Sequence, residues 1–185
     1  MNYCGLIDTD VANGEGVRVS LFVSGCTHHC KNCFNKKAWD FDYGQEFDEE
    51  TQNRILKLVE PSYISGLTLL GGEPMEPSNQ RALAPFIKKF REKFGSSKNI
   101  WCYTGYIFDR DLVKGGRAFT EQTKFLIENF DVMVDGPFVD AMRDITLKFR
   151  GSKNQRVIDV QETLKMGEVI NYFDQENGQI MTAVV

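Results

Sequence analysis

The 185-residue sequence lacks the features that mark several common classes of protein. It has no surplus of basic residues, since it contains 22 Lys and Arg and 26 Asp and Glu. The resulting net charge of −4 gives no electrostatic footprint for nucleic acid. No apolar run approaches the roughly 20 residues of a membrane-spanning helix. Residues 3–12 lack the basic start and apolar core of a signal peptide. We therefore expect a cytoplasmic protein, with no nucleic acid and no membrane among its partners.

The sequence also lacks an even number of cysteines, internal repeats and low-complexity segments. Three of its five cysteines fall within eight residues, which makes a poor disulfide framework and a good metal loop. Cys4 and Cys102 stand apart, and we assign neither a role. With 42% hydrophobic and 26% charged residues, the composition is that of an ordinary globular protein with a substantial core.

The crowded cysteines are Cys26, Cys30 and Cys33, in a C-x3-C-x2-C spacing. Three thiolates on one loop can hold three irons of a cubane [4Fe-4S] cluster and leave the fourth iron open to an outside molecule. Four cysteines would suit an outer-sphere electron carrier, whereas three suit inner-sphere chemistry. Zinc is the alternative, because the same thiolates with His28 or His29 would make a Cys3His site.

Strand and helix patterns alternate along most of the chain, after a polar loop at residues 8–16. The strands after the first are almost continuously apolar, which is typical of a parallel sheet covered by helices. Fewer than eight such units fit 185 residues, so we predict an open, partial (β/α) barrel with mainly parallel strands. The predicted strands are 17–24, 66–70, 99–103 and 132–134, and the predicted helices are 48–60, 78–94 and 120–130.

Two helix starts have candidate caps. Asp48 is a plausible N-cap of the helix that Pro61 ends, and Ser78 is a candidate cap of the next one. Pro85 falls inside this second helix, so we expect a kink there, or a helix that begins only near Pro85.

The end of the chain has a different pattern. Val157, Ile158 and Val160 predict a short strand. The β-rich runs at 168–173 and 179–185 flank an Asn-Gly turn and predict a hairpin. We therefore divide the chain into a partial-barrel domain, residues 1–160, and a C-terminal extension, residues 161–185, that packs on the same domain as a β-hairpin.

A second candidate motif, Gly71-Gly72-Glu73-Pro74, follows the strand predicted at 66–70. Two glycines at a strand end let the backbone approach a ligand without Cβ clashes. Glu73 offers a carboxylate there, and Pro74 stiffens the exit. Alone, this sequence is only a turn, but a zinc knuckle gives no reason for its presence.

Together, the cysteine loop and Gly-Gly-Glu-Pro resemble the two motifs of radical S-adenosylmethionine (SAM) enzymes. In those enzymes the amino and carboxylate groups of SAM chelate the open iron. Within this superfamily, the chain resembles the activating proteins of anaerobic (class III) ribonucleoside-triphosphate reductase over roughly residues 1–160. The segments that carry the closer resemblance are 13–16, 21–26, 33–36 with Trp39, 131–138 and 150–155.

The resemblance implies a glycyl-radical-activating enzyme. Cys26, Cys30 and Cys33 would hold a [4Fe-4S] cluster that cleaves SAM reductively. The 5′-deoxyadenosyl radical would take a hydrogen atom from a C-terminal glycine of the reductase's large catalytic subunit. An electron donor such as flavodoxin or ferredoxin would reduce the cluster.

The resemblance also implies which residues bind SAM. The cluster loop would pass the adenine at Asn32, Cys33 and Phe34. The methionine amine would meet Gly71, Gly72 and Glu73.

Further roles are less sharply defined. Asp135 either contacts SAM or substrate or caps the turn before Gly-Pro. Asn154 and Arg150 are candidates for binding SAM or the partner. Arg18 either lines the site or is solvated, and we expect no metal bond from His28 or His29.

Three other functions remain open on the sequence. Two belong to the same chemistry: an activase of another glycyl radical enzyme, of the pyruvate formate-lyase type, and a radical SAM enzyme that acts on a small molecule. The short chain argues against the former, which resembles a longer, fuller barrel. The third is a non-catalytic zinc-binding interaction module.

Overall fold

The computed structural model describes residues 1–173, which form one mixed sheet and its covering helices. The strands are β1 (Asn2–Asp10), β2 (Val17–Val23), β3 (Gln45–Glu46), β4 (Ile64–Gly71), β5 (Asn99–Tyr103), β6 (Val132–Asp135) and β7 (Arg156–Asp159). The α-helices are α1 (Glu49–Val59), α2 (Pro77–Phe94), α3 (Phe108–Asp111), α4 (Thr123–Asn129) and α5 (Val160–Met166). Each helix in this range is too short or too polar to cross a bilayer.

The sheet has the strand order β3-β1-β2-β4-β5-β6-β7. Strands β2, β4, β5 and β6 run parallel, while β1, β3 and β7 pair antiparallel at the two sides. The predicted α/β class with mainly parallel strands is therefore confirmed for the middle of the sheet. Since the four parallel strands end at one edge, the loops that follow them gather there.

The two faces of the sheet bury different sets of side chains. Ile100, Cys102 and Met133 belong to the main core, which includes the buried faces of the long helices. Trp101 and Val132, one position away along the same strands, belong to a second and smaller cluster. Because side chains alternate along a strand, this second cluster lies on the opposite face.

The predicted helices are present, but one cap was wrong. Asp48 caps α1 as predicted, since its carboxylate accepts a hydrogen bond of 2.8 Å from the Thr51 N–H. Helix α2 begins at Pro77, not at a cap on Ser78 and not near Pro85. The fixed φ of proline suits the first turn of a helix, where its missing N–H costs nothing.

Two segments have a different secondary structure from the one predicted. Residues 8–10 lie in β1 rather than in a loop, and Asp10 pairs with Arg18 of β2 after a shift in register. Val160 does not extend a strand but begins α5. The Asp159 carboxylate accepts from the Glu162 N–H at 3.0 Å and caps this helix.

The predicted C-terminal hairpin is not confirmed. In the run at 168–173, Asn171 forms an isolated bridge with Ile158. The second run, 179–185, and its Asn177-Gly178 turn lie outside the described residues.

Arg18 neither lines the cavity described below nor faces solvent, so both predictions for it were wrong. Its side chain is fully buried, and burial lowers its pKa to about 10. The guanidinium donates to Thr68 Oγ1 at 2.7 Å and to Asn99 Oδ1 at 2.6 Å. It also lies 5.3 Å from the ring centre of Trp101. Arg18 thus connects β2 to β4 and β5 through side-chain bonds inside the protein.

We predict that Arg18→Met lowers the free energy of unfolding by about 3 kcal/mol, because it leaves buried acceptors unpaired. Chemical denaturation of the apo-protein measures this. Arg54→Met, on the exposed side of α1, is the matched control and should change stability by less than about 0.5 kcal/mol. Equal midpoints for the two variants would contradict the structural role of Arg18.

Candidate functional site

The cysteine loop and the Gly-Gly-Glu strand end line one cavity of about 640 Å³ at the carboxyl edge of the sheet. The loop follows β2, and the glycines end β4, so adjacent parallel strands deliver the two motifs to the same place. The predicted site residues that line this cavity are Cys26, Cys30, Asn32, Cys33, Phe34, Gly71, Gly72 and Glu73. A cavity of this volume suits a ligand larger than a metal cluster alone.

The three thiols share the cavity but are not already arranged as a metal cage. Within residues 1–173, no three His, Cys, Asp or Glu side chains are gathered closely enough to hold a metal ion. The loop also has two non-glycine residues with positive φ, His29 at 48° and Asn32 at 61°. The donor set, three free cysteines on one loop, fits three irons of a cubane cluster.

Burial favours the protonated form of two of the three thiols, those of Cys26 and Cys30. It raises the pKa of Cys26 to about 12 and also raises that of the half-buried Cys30. Since metals bind thiolates, insertion of a cluster must displace these protons.

The two glycines allow a close approach of backbone to backbone. A Cβ on Gly72 would lie 2.6 Å from the Gly25 carbonyl oxygen and 2.8 Å from that of Ala38. At Gly71, φ is 110°, and a Cβ would lie 2.7 Å from the Phe22 backbone. Glycine is therefore required here by the protein's own chain, in addition to any ligand.

Glu73 is the buried acidic group of the site, only 1% exposed. Its carboxylate accepts hydrogen bonds from the N–H groups of Met75 at 2.8 Å and Gly105 at 2.7 Å. His28 Nε2 lies 2.8 Å from Oε2 of the same carboxylate. His28 therefore links the cysteine loop to the second motif, which its position in the sequence did not reveal.

The start of α2 holds the beginning of the cysteine loop. The Glu76 carboxylate accepts from the Thr27 N–H at 2.7 Å and from its hydroxyl at 2.6 Å. Asn79 Nδ2 donates to the Ser24 and Glu73 carbonyls, each at 2.9 Å. Sequence reasoning missed both residues. Their signal is the pair of polar side chains that follows Gly-Gly-Glu at the buried start of an apolar helix.

Asp135 and Asn154 do not line the cavity. The Asp135 carboxylate accepts from Arg156 Nε at 2.9 Å and from the Phe108 N–H at 2.8 Å, so it fastens the end of β6. Asn154 Nδ2 donates to the Pro137 carbonyl at 2.7 Å. Their predicted contacts with SAM or substrate stay predictions, and this geometry gives them no support.

Three of the buried polar atoms without a hydrogen-bond partner within residues 1–173 belong to residues that line the cavity or precede a lining residue in the chain. They are Trp39 Nε1, Arg150 Nε and Asn154 Oδ1. Trp39 and Arg150 line the cavity themselves. Unsatisfied buried polar atoms are rare in native proteins, so each one calls for an explanation. A ligand that supplies the missing hydrogen bonds is one such explanation.

Similarity to known proteins agrees with this donor set. A family model described as a 4Fe-4S single cluster domain matches residues 12–158. The chain is 40% identical to the anaerobic ribonucleoside-triphosphate reductase-activating protein of Haemophilus influenzae, over 84% of this chain and 96% of that protein. The protein of the same name from Pasteurella multocida is 43% identical, over 84% of this chain and 95% of that protein. The one from Enterobacteria phage T4 is 36% identical, over 85% of this chain and 93% of that protein.

We predict that His28→Ala loosens the cysteine loop and lowers the stability of the apo-protein by about 1–2 kcal/mol, because a buried carboxylate loses a partner. Trypsin cleavage after Lys31 and the thermal unfolding midpoint measure the two effects. His29→Ala is the matched control, since His29 is exposed and its tilted ring contacts only that of Trp39 among the ring contacts of the described residues, with ring centres 4.6 Å apart. If the two variants behave alike, the link to Glu73 does not hold the loop.

Proposed function

This chain belongs to the family of anaerobic ribonucleoside-triphosphate reductase-activating proteins, and on that premise we propose that it is the glycyl-radical-activating enzyme of such a reductase. Its cofactors would be a [4Fe-4S] cluster with three cysteine ligands, and SAM. Its protein substrate would be the large catalytic subunit of the reductase, and its electron donor a cytoplasmic protein such as flavodoxin or ferredoxin. The observation that carries this proposal is the meeting of three free cysteines and Gly-Gly-Glu in one cavity.

The protein's own part in the reaction is to bind, orient and shield. When bound, the cluster supplies one electron for cleavage of SAM, which yields methionine and a 5′-deoxyadenosyl radical that takes a hydrogen atom from a glycine Cα. Cys26, Cys30 and Cys33 would hold the cluster. Asn32 and Phe34, which line the same cavity, would lie beside the adenine.

Glu73 is suited to bind the methionine amine. An ionised carboxylate has about four acceptor positions, and three of those on Glu73 are used by Met75, Gly105 and His28. One position therefore remains for an ammonium group. Because the carboxylate is buried, a charge-assisted hydrogen bond there would be strong.

Apolar groups form much of the remaining cavity wall. Leu70, Tyr103, Val134 and Phe138 all line it. Such walls exclude water, which protects a reactive radical from side reactions.

The mouth of the cavity has the character of a protein-binding surface. Phe34, which lines the cavity, is one of the most exposed large apolar side chains among the described residues, at 86%. Residues 27–39 carry three lysines and no acidic residue, although the whole chain has a net charge of −4. An apolar and acidic segment of the reductase would complement this surface.

We also propose that the sheet curves into an open partial barrel over residues 1–160, with residues 161–185 as an extension on the same domain. The linear strand order supports this, because β3 and β7 lie at opposite ends of the sheet.

We predict that Cys30→Ala abolishes cluster assembly and SAM cleavage but leaves the fold intact. Iron and sulfide content, 5′-deoxyadenosine formation and circular dichroism measure these three properties after anaerobic reconstitution. Cys4→Ala is the control, since Cys4 lies on β1 outside the cavity lining, and it should retain about four irons per chain. Loss of the fold in Cys30→Ala, or a colourless wild-type protein that keeps zinc, would favour a structural metal instead.

We predict direct transfer of hydrogen from the reductase to the adenosyl group. When the reductase subunit carries deuterated glycine, mass spectrometry should detect deuterium in 5′-deoxyadenosine. A reductase whose target glycine is replaced by alanine is the control and should transfer no label. If the label never appears while a small molecule is consumed, the enzyme acts on that molecule and the activase proposal fails.

A further inference from the structure

The described chain continues past the family model, which ends at residue 158. Helix α5 ends at Gly167, whose φ of 74° reverses the chain. The Asp159 N–H then donates to the Ile170 carbonyl at 2.9 Å, and Asn171 forms a bridge with Ile158. The extension therefore returns along β7, at the side of the sheet.

The next two residues, Tyr172 and Phe173, lie on the cavity face of the sheet. They pack against the second cluster, which contains Trp101. Val134, which belongs to this cluster, and Tyr103, which packs against it, also line the cavity. The extension thus reaches the face opposite the helices.

Phe173 contacts a strained part of the cavity wall. Its ring stacks on Phe149 with an interplanar angle of 13° and a centroid distance of 6.3 Å. Phe149 in turn packs edge-on against Trp101 at 5.1 Å. Phe149 has a φ of 57°, which a bulky residue rarely adopts, and it lines the cavity together with Arg150. Such a conformation persists only when neighbouring groups hold it.

Tyr172 connects this wall to a second loop. Its ring packs on Trp101 at 5.4 Å, and its hydroxyl donates to the Glu15 carboxylate at 2.9 Å. The loop that contains Glu15 also contains Asn13, which lines the cavity, and whose carbonyl accepts from Thr68 Oγ1 at 2.8 Å. One short segment therefore contacts two separate loops of the same cavity.

We propose that Tyr172 and Phe173 are positioning residues that hold Phe149 and Arg150 as the wall against which the protein substrate's glycine-bearing segment fits. The proposal rests on the proposed function for the identity of that segment. It gives the extension a role in substrate fit, while the cysteine loop and Gly-Gly-Glu would hold the cluster and SAM.

The test compares Phe173→Ala with Phe173→Tyr, which keeps the ring. In the reconstituted full-length enzyme, we expect Phe173→Ala to raise the KM for the reductase about tenfold, because a displaced wall misplaces the substrate. SAM cleavage measured without reductase should stay within about twofold of the wild type, since it does not need this wall. Phe173→Tyr should restore the KM. Leu164→Ala, a half-exposed position on α5 of the same extension, is the matched control.

A second readout needs neither cofactor nor partner. In the apo-protein, trypsin should cut after Lys148 and Arg150 about tenfold faster in Phe173→Ala than in the wild type, because the wall segment opens more often. Unchanged KM and unchanged cleavage would overturn the proposal. So would an equal loss of SAM cleavage and reductase activation, which indicates a merely structural role. If the wild type cleaves SAM but never activates the reductase, the proposed function fails, and the trypsin rates alone decide whether the extension holds the wall.

Discussion

Two backbone hydrogen bonds beyond the ends of β2 and β4 hold the functional edge together. The Gly72 N–H donates to the Val23 carbonyl at 2.7 Å, and the Glu73 N–H donates to that of Gly25 at 2.9 Å. They join the strand that enters the cysteine loop to the strand that carries the buried carboxylate. Because a side chain at position 72 would collide with the Gly25 and Ala38 carbonyls, this connection depends on glycine. Thiols and carboxylate therefore stay neighbours as long as the sheet is intact.

At this edge of the sheet, the fixed carboxylate of Glu73 lies beside the loop that carries the three cysteines. The Glu73 carboxylate is fixed by two backbone N–H groups and by His28, so it is positioned before any ligand arrives. The cysteine loop is anchored at its start by Glu76, but its thiols are not gathered into a metal cage within the described residues. Burial favours the protonated form of Cys26 and Cys30. A bound cluster would add to the stability of this loop, because metal binding is coupled to folding.

Much of the site could be predicted from local sequence, and the reasons for the failures are physical. The cysteine spacing and Gly-Gly-Glu could be recognised in the sequence because each motif lies within a few consecutive residues. The contact between His28 and Glu73 was not, because these residues are 45 positions apart and meet only when β2 pairs with β4. Arg18 alternates with apolar neighbours as a solvated strand residue would, yet it is buried by Trp101 and paired with Asn99. Residues 8–10 resembled a loop because they are polar, yet they continue β1, and Asp10 pairs with Arg18 of β2.

By itself, the sequence determined the α/β class, the parallel middle of the sheet, the two motifs and the family to which they belong. These features are carried by periodicity and by short spacings, which do not depend on distant parts of the chain. Only the tertiary structure decided that Asp135 is tied to Arg156, that the Gly72 backbone meets the protein's own carbonyls, and that Tyr172 and Phe173 reach the cavity wall. Each of these features depends on contacts between residues that are far apart in the sequence. Such contacts form only after the strands have assembled and have brought the polar or aromatic groups together.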